Sequence, residues 1–395
     1  MNRVACASIA LLAACATNSV GNDWSDEEPD PQPVPVDAGP STSDASTDAG
    51  VPESPDAERP LVCGKTEFCE TRLPLADDGM PLSLRSVWAV SSSDVWSVSV
   101  EGFVLHWDGA TWTTAFRTPH ALYAVWATAT DVWAGGERGL LFHRTADGSW
   151  SFVETGHVKD IRGIYGLAAD DVWFGHDGAV DHYDGSTLTT YPLPVPDLQF
   201  RSVFGRAGFG TYALYGDGCT YCGASSTGRA LVFELLPGQI TDYNPAVSSK
   251  WGFFPMSAVV SDDPDEGRRI FMFGYTKASN NLGWNYQYTY FGKSSTNYVL
   301  QVLRTPLNQG MTLTDPRQKG LPLQLPMPSW DVAGTDVRVH PAVGVAYHRS
   351  GGNFVLLPAV DMGYDFVPTT LFAVHGDSAK TWLVGDGFAL EGPTP

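Results

Sequence analysis

The sequence predicts an all-β protein whose folded part is a single β-propeller. The stretch from Leu84 to Thr113 contains three short strand-like segments and the start of a fourth, each bounded by polar or Gly-containing turns. One small four-stranded sheet cannot bury its aromatic faces alone, so it needs neighbours of the same kind. Related stretches begin at Ala121 and at Ile161. The aromatic residue that closes the first strand recurs in steps of 38, 39 and 39 residues, at Trp88, Trp126, Tyr165 and Phe204.

That spacing is the length of one propeller blade. The composition agrees, because 12% of the residues are aromatic and only 17% are charged, which is typical of sheets with Trp-rich interfaces. We label the strands of a blade A to D from the inside outward. Blades 1, 2 and 3 are expected at about 84–118, 121–158 and 161–195. Seven blades are expected in all, with six and eight as alternatives.

The later blades are less regular. Blade 4 begins near Arg201, with GTYALYG as strand B and RALVFELLPG as strand C. Blade 5 begins near Met256, with RRIFMFGY as strand B, YVLQVLR as strand C and MTLTD as strand D. The segment from Thr335, TDVRVHPAVGVAYHRSGGNF, aligns without a gap on the segment from Thr130, and this alignment defines blade 6.

The last blade is predicted to close the ring with both ends of the chain. The segment from Leu371 supplies strands A, B and C and then the chain ends. The strand-like segment Phe68 to Ala76 has no other assignment, so we expect it to pair outside Gly387 to Glu391. Such closure removes the two free sheet edges that would otherwise promote aggregation.

The first 15 residues predict an export signal. A positive charge at Arg3 precedes an apolar run that is too short to cross a bilayer as a helix. The run ends in Leu12-Ala13-Ala14-Cys15, which resembles a bacterial lipobox. The resemblance implies that Cys15 carries the lipid, and Ala16 after it implies the outer membrane. An ordinary signal peptide with a coincidental Cys is the alternative.

Residues 16–59 predict a disordered tether, and the propeller domain is assigned to 60–395. Residues 16–58 contain eleven Asp or Glu, no Lys or Arg, and almost no large apolar side chains. Such a segment cannot bury enough surface to offset the entropy of ordering. The whole chain has a formal net charge of −20 and no basic stripe, which argues against nucleic-acid binding.

The cysteines fit an exported protein. Removing Cys6 with the signal and Cys15 with the lipid leaves four, an even number that suggests two disulfides. We pair them locally, as Cys63 with Cys69 and Cys219 with Cys222. The second pair also has the spacing of a redox or zinc half-site, but its loop composition and the lack of a nearby His favour a structural disulfide.

Three repeated motifs are interpreted as structural. An Asp-Val-Trp motif falls at each turn from strand A to strand B, where Asp can accept backbone hydrogen bonds and Trp packs between blades. An Asp-Gly pair between strands C and D predicts a tight hairpin turn. A His near the end of strand C is expected to hydrogen-bond the neighbouring turn. Calcium or other metal binding is the alternative, but copies on different blades are too far apart to share one ion. The residues are Asp94, Asp131, Asp171 and Asp336; Asp108, Asp147 and Asp184; and His106, His143, His182 and His348.

Two long insertions predict a ligand-binding face. Gly216 to Gly228 and Lys277 to Asn297 are read as B–C loops of blades 4 and 5, joined on one face by the segment NPAVSSKWGFF. Loops on a rigid scaffold commonly bind ligands, and aromatic rings beside amides suit sugars or polypeptides. The alternative is that these rings merely cover the propeller. The candidate residues are Trp251, Trp284, Tyr286, Tyr288, Tyr290, Asn281 and Asn285.

The run VWAVSSSDVWSVSVEGFVLHWDGATW resembles the Trp-rich propeller repeats of surface lipoproteins from myxobacteria and related Gram-negative bacteria, and more distantly kelch and Asp-box propellers. The resemblance implies the fold and a surface location, and the address expected from the lipobox is the outer membrane, facing the periplasm or the outside. It implies no single activity.

We expect a monomeric, non-enzymatic lipoprotein that binds a glycan or protein partner through the B–C face of blades 4 and 5 and touches the membrane only through its lipid. The alternatives are a polysaccharide lyase or hydrolase that uses the channel, and a structural component of an envelope assembly. Binding is favoured because the inner strands, read as SVWAV, AVWAT, GIYGL, SVFG and LFAVHG, are almost all apolar. No motif predicts a cofactor, a metal ion or a catalytic residue.

Overall fold

The computed structural model describes most of the folded part of the chain. The described residues are 61–64, 67–195, 197–217, 229–243, 253–263, 267–277, 284–293, 298–301, 328–332, 336–342, 345–350, 353–356 and 370–394. The expected export signal, lipidated Cys15 and acidic tether lie outside these residues, and so do Cys219 and Cys222. Within the described residues no helix has the length and apolar character needed to span a membrane.

The described residues form short antiparallel strands and one 3-10 turn at Glu137–Gly139. In chain order the strands are β1 (Cys69–Glu70), β2 (Leu84–Ser91), β3 (Asp94–Ser99), β4 (Phe103–Trp107), β5 (Trp112–Arg117), β6 (Leu122–Ala127), β7 (Val132–Gly136), β8 (Leu141–Arg144), β9 (Trp150–Phe152), β10 (Gly163–Ala168), β11 (Asp171–His176), β12 (Ala179–Tyr183), β13 (Leu188–Pro192), β14 (Gln199–Arg206), β15 (Gly210–Gly216), β16 (Ala230–Leu236), β17 (Gln239–Asp242), β18 (Phe253–Asp263), β19 (Gly267–Lys277), β20 (Trp284–Lys293), β21 (Tyr298–Gln301), β22 (Ser329–Val332), β23 (Asp336–Ala342), β24 (Val345–Ser350), β25 (Asn353–Leu356), β26 (Leu371–Gly376), β27 (Lys380–Gly385) and β28 (Phe388–Pro393).

The described strands form seven four-stranded sheets. Six sheets take four consecutive strands each, from β2 to β25, and the seventh has the order β1-β28-β27-β26. The inner strands are β2, β6, β10, β14, β18, β22 and β26. Each contacts the next, and β26 contacts β2. The sheets therefore close into a ring, which confirms the predicted propeller. The number of blades in the whole chain stays a prediction, because 302–327 lies outside the described residues.

Equivalent aromatic residues of the inner strands meet at the centre of this ring. The ring centroid of Trp88 lies 6.2 Å from that of Trp126 and 6.0 Å from that of Tyr165. These residues come from blades 1, 2 and 3. The repeat that was read from their spacing is therefore a repeat about one shared axis.

The two ends of the chain meet in the last sheet, as predicted. Strand β1 pairs with β28, with Cys69 opposite Glu391 and Glu70 opposite Leu390. Beyond the strand, the N–H of Thr71 donates to the carbonyl of Ala389 at 2.9 Å. The closing strand has two residues, which is shorter than the expected Phe68 to Ala76. Cys69 also forms a disulfide with Cys63.

The repeated Asp accepts hydrogen bonds from side chains rather than from the backbone amides that we expected. In blade 3, the Asp171 carboxylate accepts from Trp173 Nε1 at 3.1 Å and from His182 Nε2 at 2.8 Å. The His182 ring stacks on Trp173, with centroids 4.1 Å apart. The predicted hydrogen-bonding role of the repeated His holds for His106 and His143 as well, which bond to the Asp of their own blades. The side chain of His348 lies outside the described residues.

The Asp-Gly turns form where they were predicted, between strands C and D. Asp108 Oδ1 accepts from the backbone N–H groups of Ala110 and Thr111, at 2.9 and 2.8 Å. Gly109 has a φ of 99°, a region that residues with a Cβ rarely occupy. The Asp side chain and the Gly backbone thus each supply one requirement of the turn.

Blade 5 corrects the expected strand assignment. The segment that was read as a B–C loop insertion, from Lys277 to Asn297, contains β20, the third strand of its sheet. The expected third strand, YVLQVLR, instead begins with β21, the fourth strand. The physical reason is visible in WNYQYTYFGK, where aromatic residues alternate with smaller polar ones as in a β-strand.

Candidate functional site

The inner strands carry a repeated irregularity at their start. In blade 1 the ladder pairs Leu84 with Ser99 and then Ser86 with Val98. Arg85, between them, is therefore not paired with a residue of the neighbouring strand. The ladders of four other inner strands skip the equivalent residue in the same way. A β-bulge of this kind redirects the side chain of the extra residue. The skipped residues are Arg85, Tyr123, Arg201, Met256 and Phe372.

The skipped residues all line one central cavity of about 710 Å³. Blades 3 and 6 contribute the residue that directly precedes the inner strand, Arg162 and Pro328, and both line the same cavity. We call these seven residues the mouth ring. Because inner strands begin at the face where strand D connects to the next strand A, the mouth ring opens on the same face as the B–C connections.

Three of the seven mouth-ring residues are arginines, from blades 1, 3 and 4. Arg162 forms an ion pair with Asp160 at 2.9 Å. Arg85 has a more distant carboxylate, since its Nη2 atom lies 3.9 Å from Asp386, and its guanidinium lies 3.7 Å from the ring centre of Phe372. Two of the three guanidinium groups are therefore stacked or paired, but one carboxylate contact is long.

Arg201 is the least compensated of the three. Its Nη2 atom donates to Gln199 Oε1 at 3.1 Å and to the backbone carbonyl of Asp217 at 2.8 Å, and no described carboxylate lies within 4 Å of it. Burial lowers the pKa of Arg201 below its ordinary value, although Asp177 and Asp217 oppose this. An arginine stays protonated in proteins. The Nε atoms of Arg85 and Arg201 are also buried, and neither has a hydrogen-bond partner in the part of the chain that the structure describes. The mouth ring therefore favours an anionic group.

In blades 1 to 4 and in blade 7 an aromatic ring follows three residues after the mouth-ring position, about 10 Å further along the inner strand. Trp88 stacks on His375 with centroids 4.1 Å apart, and the N–H of Ala89 donates to His375 Nδ1 at 3.0 Å. Burial lowers the pKa of His375 to about 4, so the ring is neutral at pH 7. Burial also raises the pKa of Tyr165 above its ordinary value. Neither group is poised to exchange protons near neutral pH.

Among the described residues that line the cavity, Asp331 supplies the carboxylate. It lies 3.5 Å from Arg206, with which it forms an ion pair. Paired carboxylates of the kind used for glycoside hydrolysis are not present in this described lining. The chemistry that the cavity offers is recognition by guanidinium groups and aromatic rings.

The seven residues that were predicted to bind ligand from loops do not all lie in loops. Trp284, Asn285, Tyr286, Tyr288 and Tyr290 all lie in β20. Trp251 and Asn281 lie outside the described residues. Their role in binding stays a prediction.

The expectation that the inner strands are almost all apolar overlooked three arginines at their start, because blades 1, 3 and 4 were read from the residue after Arg85, Arg162 and Arg201. The signal was present in the sequence as an Arg three residues before the repeated aromatic, in RSVW, RGIY and RSVF. These three runs belong to blades 1, 3 and 4. The mouth-ring arginines could therefore have been found by extending the repeat alignment one residue toward the N-terminus.

No protein family model matches the chain, and no curated protein matches it. Solved structures do. The structure "YCF48 bound to D1 peptide" is 16% identical over 83% of this chain and 97% of that one, with a TM-score of 0.53. YCF48 from Cyanidioschyzon merolae is 13% identical over 82% and 98% of the two chains, with a TM-score of 0.51. The extracellular domain of a hybrid two-component system from B. thetaiotaomicron is 13% identical, with a TM-score of 0.55, over 82% of this chain and 39% of that longer one.

These likenesses agree with the ring of sheets. The fold is a β-propeller. At such low identity the neighbours do not transfer a ligand or an activity to this chain, because one fold hosts many functions.

Proposed function

We propose that the propeller is a non-enzymatic binding module that captures a carboxylate-bearing segment of a partner protein at the mouth ring. The observation that carries the proposal is the placement of three guanidinium groups, from Arg85, Arg162 and Arg201, around one cavity. A guanidinium binds a carboxylate through two parallel hydrogen bonds. Within the described residues the Nε atoms of Arg85 and Arg201 have no hydrogen-bond partner, so the protein leaves these two guanidinium groups incompletely compensated.

A polypeptide is favoured over a glycan by the rest of the mouth ring. Tyr123, Met256 and Phe372 lie between or opposite the arginines, so the cavity offers apolar contact beside positive charge. An acidic peptide end or side chain has this mixed character. The cavity volume of about 710 Å³ is in the range of small-ligand pockets. One propeller of similar fold is described as bound to a peptide, which supports the same class of ligand.

The binding proposal is tested with poly-L-glutamate as probe and the full chain as receptor. We expect binding that weakens as NaCl rises from 50 to 200 mM, because salt screens exposed charges over about 8–10 Å. The double variant Arg85→Gln/Arg201→Gln should bind at least tenfold more weakly by fluorescence anisotropy. The control is Arg117→Gln, which removes an exposed arginine paired with Asp77 outside the cavity.

Each outcome of that experiment has a definite meaning. A wild-type protein that ignores poly-L-glutamate, or a control variant that loses as much binding as the mouth variant, would reject the mouth ring as the site. A clear preference for polygalacturonate, a uronate polymer, would move the proposal from proteins to acidic glycans. Cleavage of that polymer would instead support the lyase or hydrolase alternative.

We also propose that a lipid on Cys15 holds the module at the outer membrane. The proposal is supported by the Leu-Ala-Ala-Cys run and by the acidic, Pro-rich residues that follow it. Palmitate labelling of the wild type and of Cys15→Ala tests the anchor, and loss of label in the variant is expected. Protease treatment of intact cells then distinguishes a surface location from a periplasmic one.

A further inference from the structure

A second polar cluster lies in blade 3, outside the central cavity. His176 ends β11, Asp181 lies in β12, and His157 lies in the connection from β9 to β10. One ligand atom from each of the three residues falls within 4.8 Å of the other two. His157 Nε2 lies 2.9 Å from Asp181 Oδ2, and His176 Nε2 lies 3.6 Å from the same oxygen. We call these three residues the blade 3 cluster.

The cluster breaks the repeat at a position that is otherwise apolar. In the ladders of blades 1 to 3, the residue before the repeated His is Leu105, Phe142 and Asp181. Asp181 has an exposed fraction of 0%. Burying a carboxylate is costly unless a counter-charge or hydrogen bonds compensate it. A carboxylate at the position of Leu105 and Phe142 therefore needs either a counter-charge or hydrogen bonds.

The hydrogen-bond partners of the two His rings indicate where a cation would sit. His176 Nδ1 lies 3.3 Å from the backbone carbonyl of Asp177, and a carbonyl can only accept, so Nδ1 carries the proton of a neutral ring. The unprotonated Nε2 then faces Asp181 Oδ2. This Nε2 atom is buried and has no hydrogen-bond partner among the described residues, and the His176 side chain is only 4% exposed. Two acceptor atoms thus face each other in a buried place.

The distance between those two atoms fits a metal ion better than a shared proton. A charge-assisted N–H···O bond spans about 2.7–2.9 Å. A Zn²⁺ ion bound at about 2.0–2.2 Å to both atoms, with tetrahedral angles, separates them by roughly 3.3–3.5 Å. The observed separation is 3.6 Å.

Hydrogen bonds to neighbouring groups orient the His176 and Asp181 side chains in the manner usual for metal ligands. The Asp177 carbonyl accepts from His176 Nδ1, and the hydroxyl of Thr190 donates to Asp181 Oδ1 at 2.6 Å. Metal-binding His and Asp side chains are commonly held in this way. His157 is arranged differently, since its Nδ1 accepts from the N–H of Lys159 at 3.1 Å. Its Nε2 therefore carries the proton in the neutral ring and donates it to Asp181 Oδ2 at 2.9 Å. Binding a metal at this Nε2 requires the other tautomer and the loss of both hydrogen bonds.

We propose that His176, Asp181 and His157 bind one Zn²⁺ ion, with a fourth position open toward the partly exposed side of His157. Neutral His ligands with one carboxylate are donors that zinc prefers. This site is separate from the mouth ring and goes beyond the proposed binding function. Failure of one leaves the other standing, because they share no residue.

The test uses the full chain after treatment with EDTA and dialysis. We expect one equivalent of Zn²⁺ to bind in a competition titration with a chromophoric chelator and to raise the Tm. His176→Gln and Asp181→Asn should each weaken binding at least tenfold. Thr190→Val, which removes only the orienting hydroxyl, should weaken it by about 10–100-fold.

Two controls exclude other sites. His120→Gln alters an exposed His that pairs with Glu137 at 2.7 Å, and it should bind zinc like the wild type. The double variant Cys219→Ser/Cys222→Ser should also retain binding, because the proposed site contains no sulfur. Binding that disappears only in the cysteine variant would overturn the proposal. So would a wild type that binds no zinc.

X-ray absorption of the zinc-loaded wild type does not depend on whether the variants fold. The expected first shell contains only nitrogen and oxygen, with the outer scattering of two imidazole rings. A sulfur ligand, or fewer than two imidazoles, would contradict the assignment.

Discussion

Replacing Asp171 by Ala should cost the protein several kcal/mol, and the structure allows the cost to be worked out. The Asp171 carboxylate accepts from Trp173 Nε1 and His182 Nε2. Trp173 is 1% exposed and His182 is 4% exposed, so both donors are buried, although water can reach part of the vacated site because the Asp171 side chain is 31% exposed. A buried donor left without a partner costs about 1–3 kcal/mol. Two such donors give an expected loss of about 2–6 kcal/mol in the free energy of unfolding.

The same substitution in blade 2 provides an internal comparison. Asp131 accepts from His143 Nε2 at 2.9 Å. Trp133 Nε1 is already buried without a hydrogen-bond partner among the described residues. Asp131→Ala therefore leaves only one more buried donor without an acceptor. The expected loss is about 1–3 kcal/mol, or half of the loss in blade 3. The second partner of Asp131 is the exposed hydroxyl of Thr130, which water can satisfy, so the two copies of the motif differ in one buried hydrogen bond.

Urea unfolding of the full chain, followed by far-UV circular dichroism, measures both losses. Asp171→Asn and Asp131→Asn serve as matched controls, because the amide oxygen can still accept from the same donors. Each Asn variant should be more stable than its Ala counterpart. The assignment of the cost to donors without an acceptor would be refuted by an Asp131→Ala variant as unstable as Asp171→Ala. It would also be refuted by an Asn variant that is no more stable than its Ala counterpart.

Two further predictions concern the channel and the closing blade. Because the folded-state pKa of His375 is lowered from 6.5 to about 4, the unfolded chain binds this proton first. The free energy of unfolding should therefore be independent of the titration of His375 above pH 6.5. It should fall by up to about 3 kcal/mol as the pH drops to 4. His375→Gln should lack this part of the pH dependence of urea unfolding, and an unchanged profile would contradict the prediction. Trp382 is 0% exposed and packs on Trp107 and Trp112, with centroids 5.1 and 5.4 Å away. Trp382→Ala should cost about 3–5 kcal/mol in unfolding free energy and speed amide exchange in β1. Amide protection in β1 equal to that of the wild type would show that the packing between the closing blade and blade 1 does not stabilise the closed ring of sheets.

The fold was readable from the sequence because the blades repeat a physical requirement. Each sheet needs an aromatic residue at the same place to pack on its neighbours, so Trp88, Trp126 and Tyr165 recur at one spacing. The closing strand was found by elimination, since the last blade lacked a partner and the segment around Cys69 lacked an assignment. Both inferences used only period and turn chemistry, which are local properties of a sequence.

Blade 5 and the mouth ring were missed for a different reason. A β-bulge inserts one residue into a strand and breaks the alternation of side chains, so Arg85 and Arg201 seemed to precede their strands rather than belong to them. In blade 5, the alternating tyrosines of β20 were assigned to a loop because the shorter YVLQ run matched a strand equally well. Period alone cannot choose between two adjacent strand-like runs.

The blade 3 cluster shows what kind of signal a repeat can give about chemistry. Its members occupy three different places in the repeat, so no periodicity relates His157 to His176 and Asp181. A charged residue at a position that holds Leu105 and Phe142 in the neighbouring blades is nevertheless visible once the blades are aligned by strand register. A buried carboxylate costs stability unless it has a counter-charge. Such a departure from the repeat therefore marks a position where apolar packing has been replaced by a group that is costly to bury. The alignment of blades therefore locates candidate sites through the residues that fail to conform, whereas the conforming residues report only the fold.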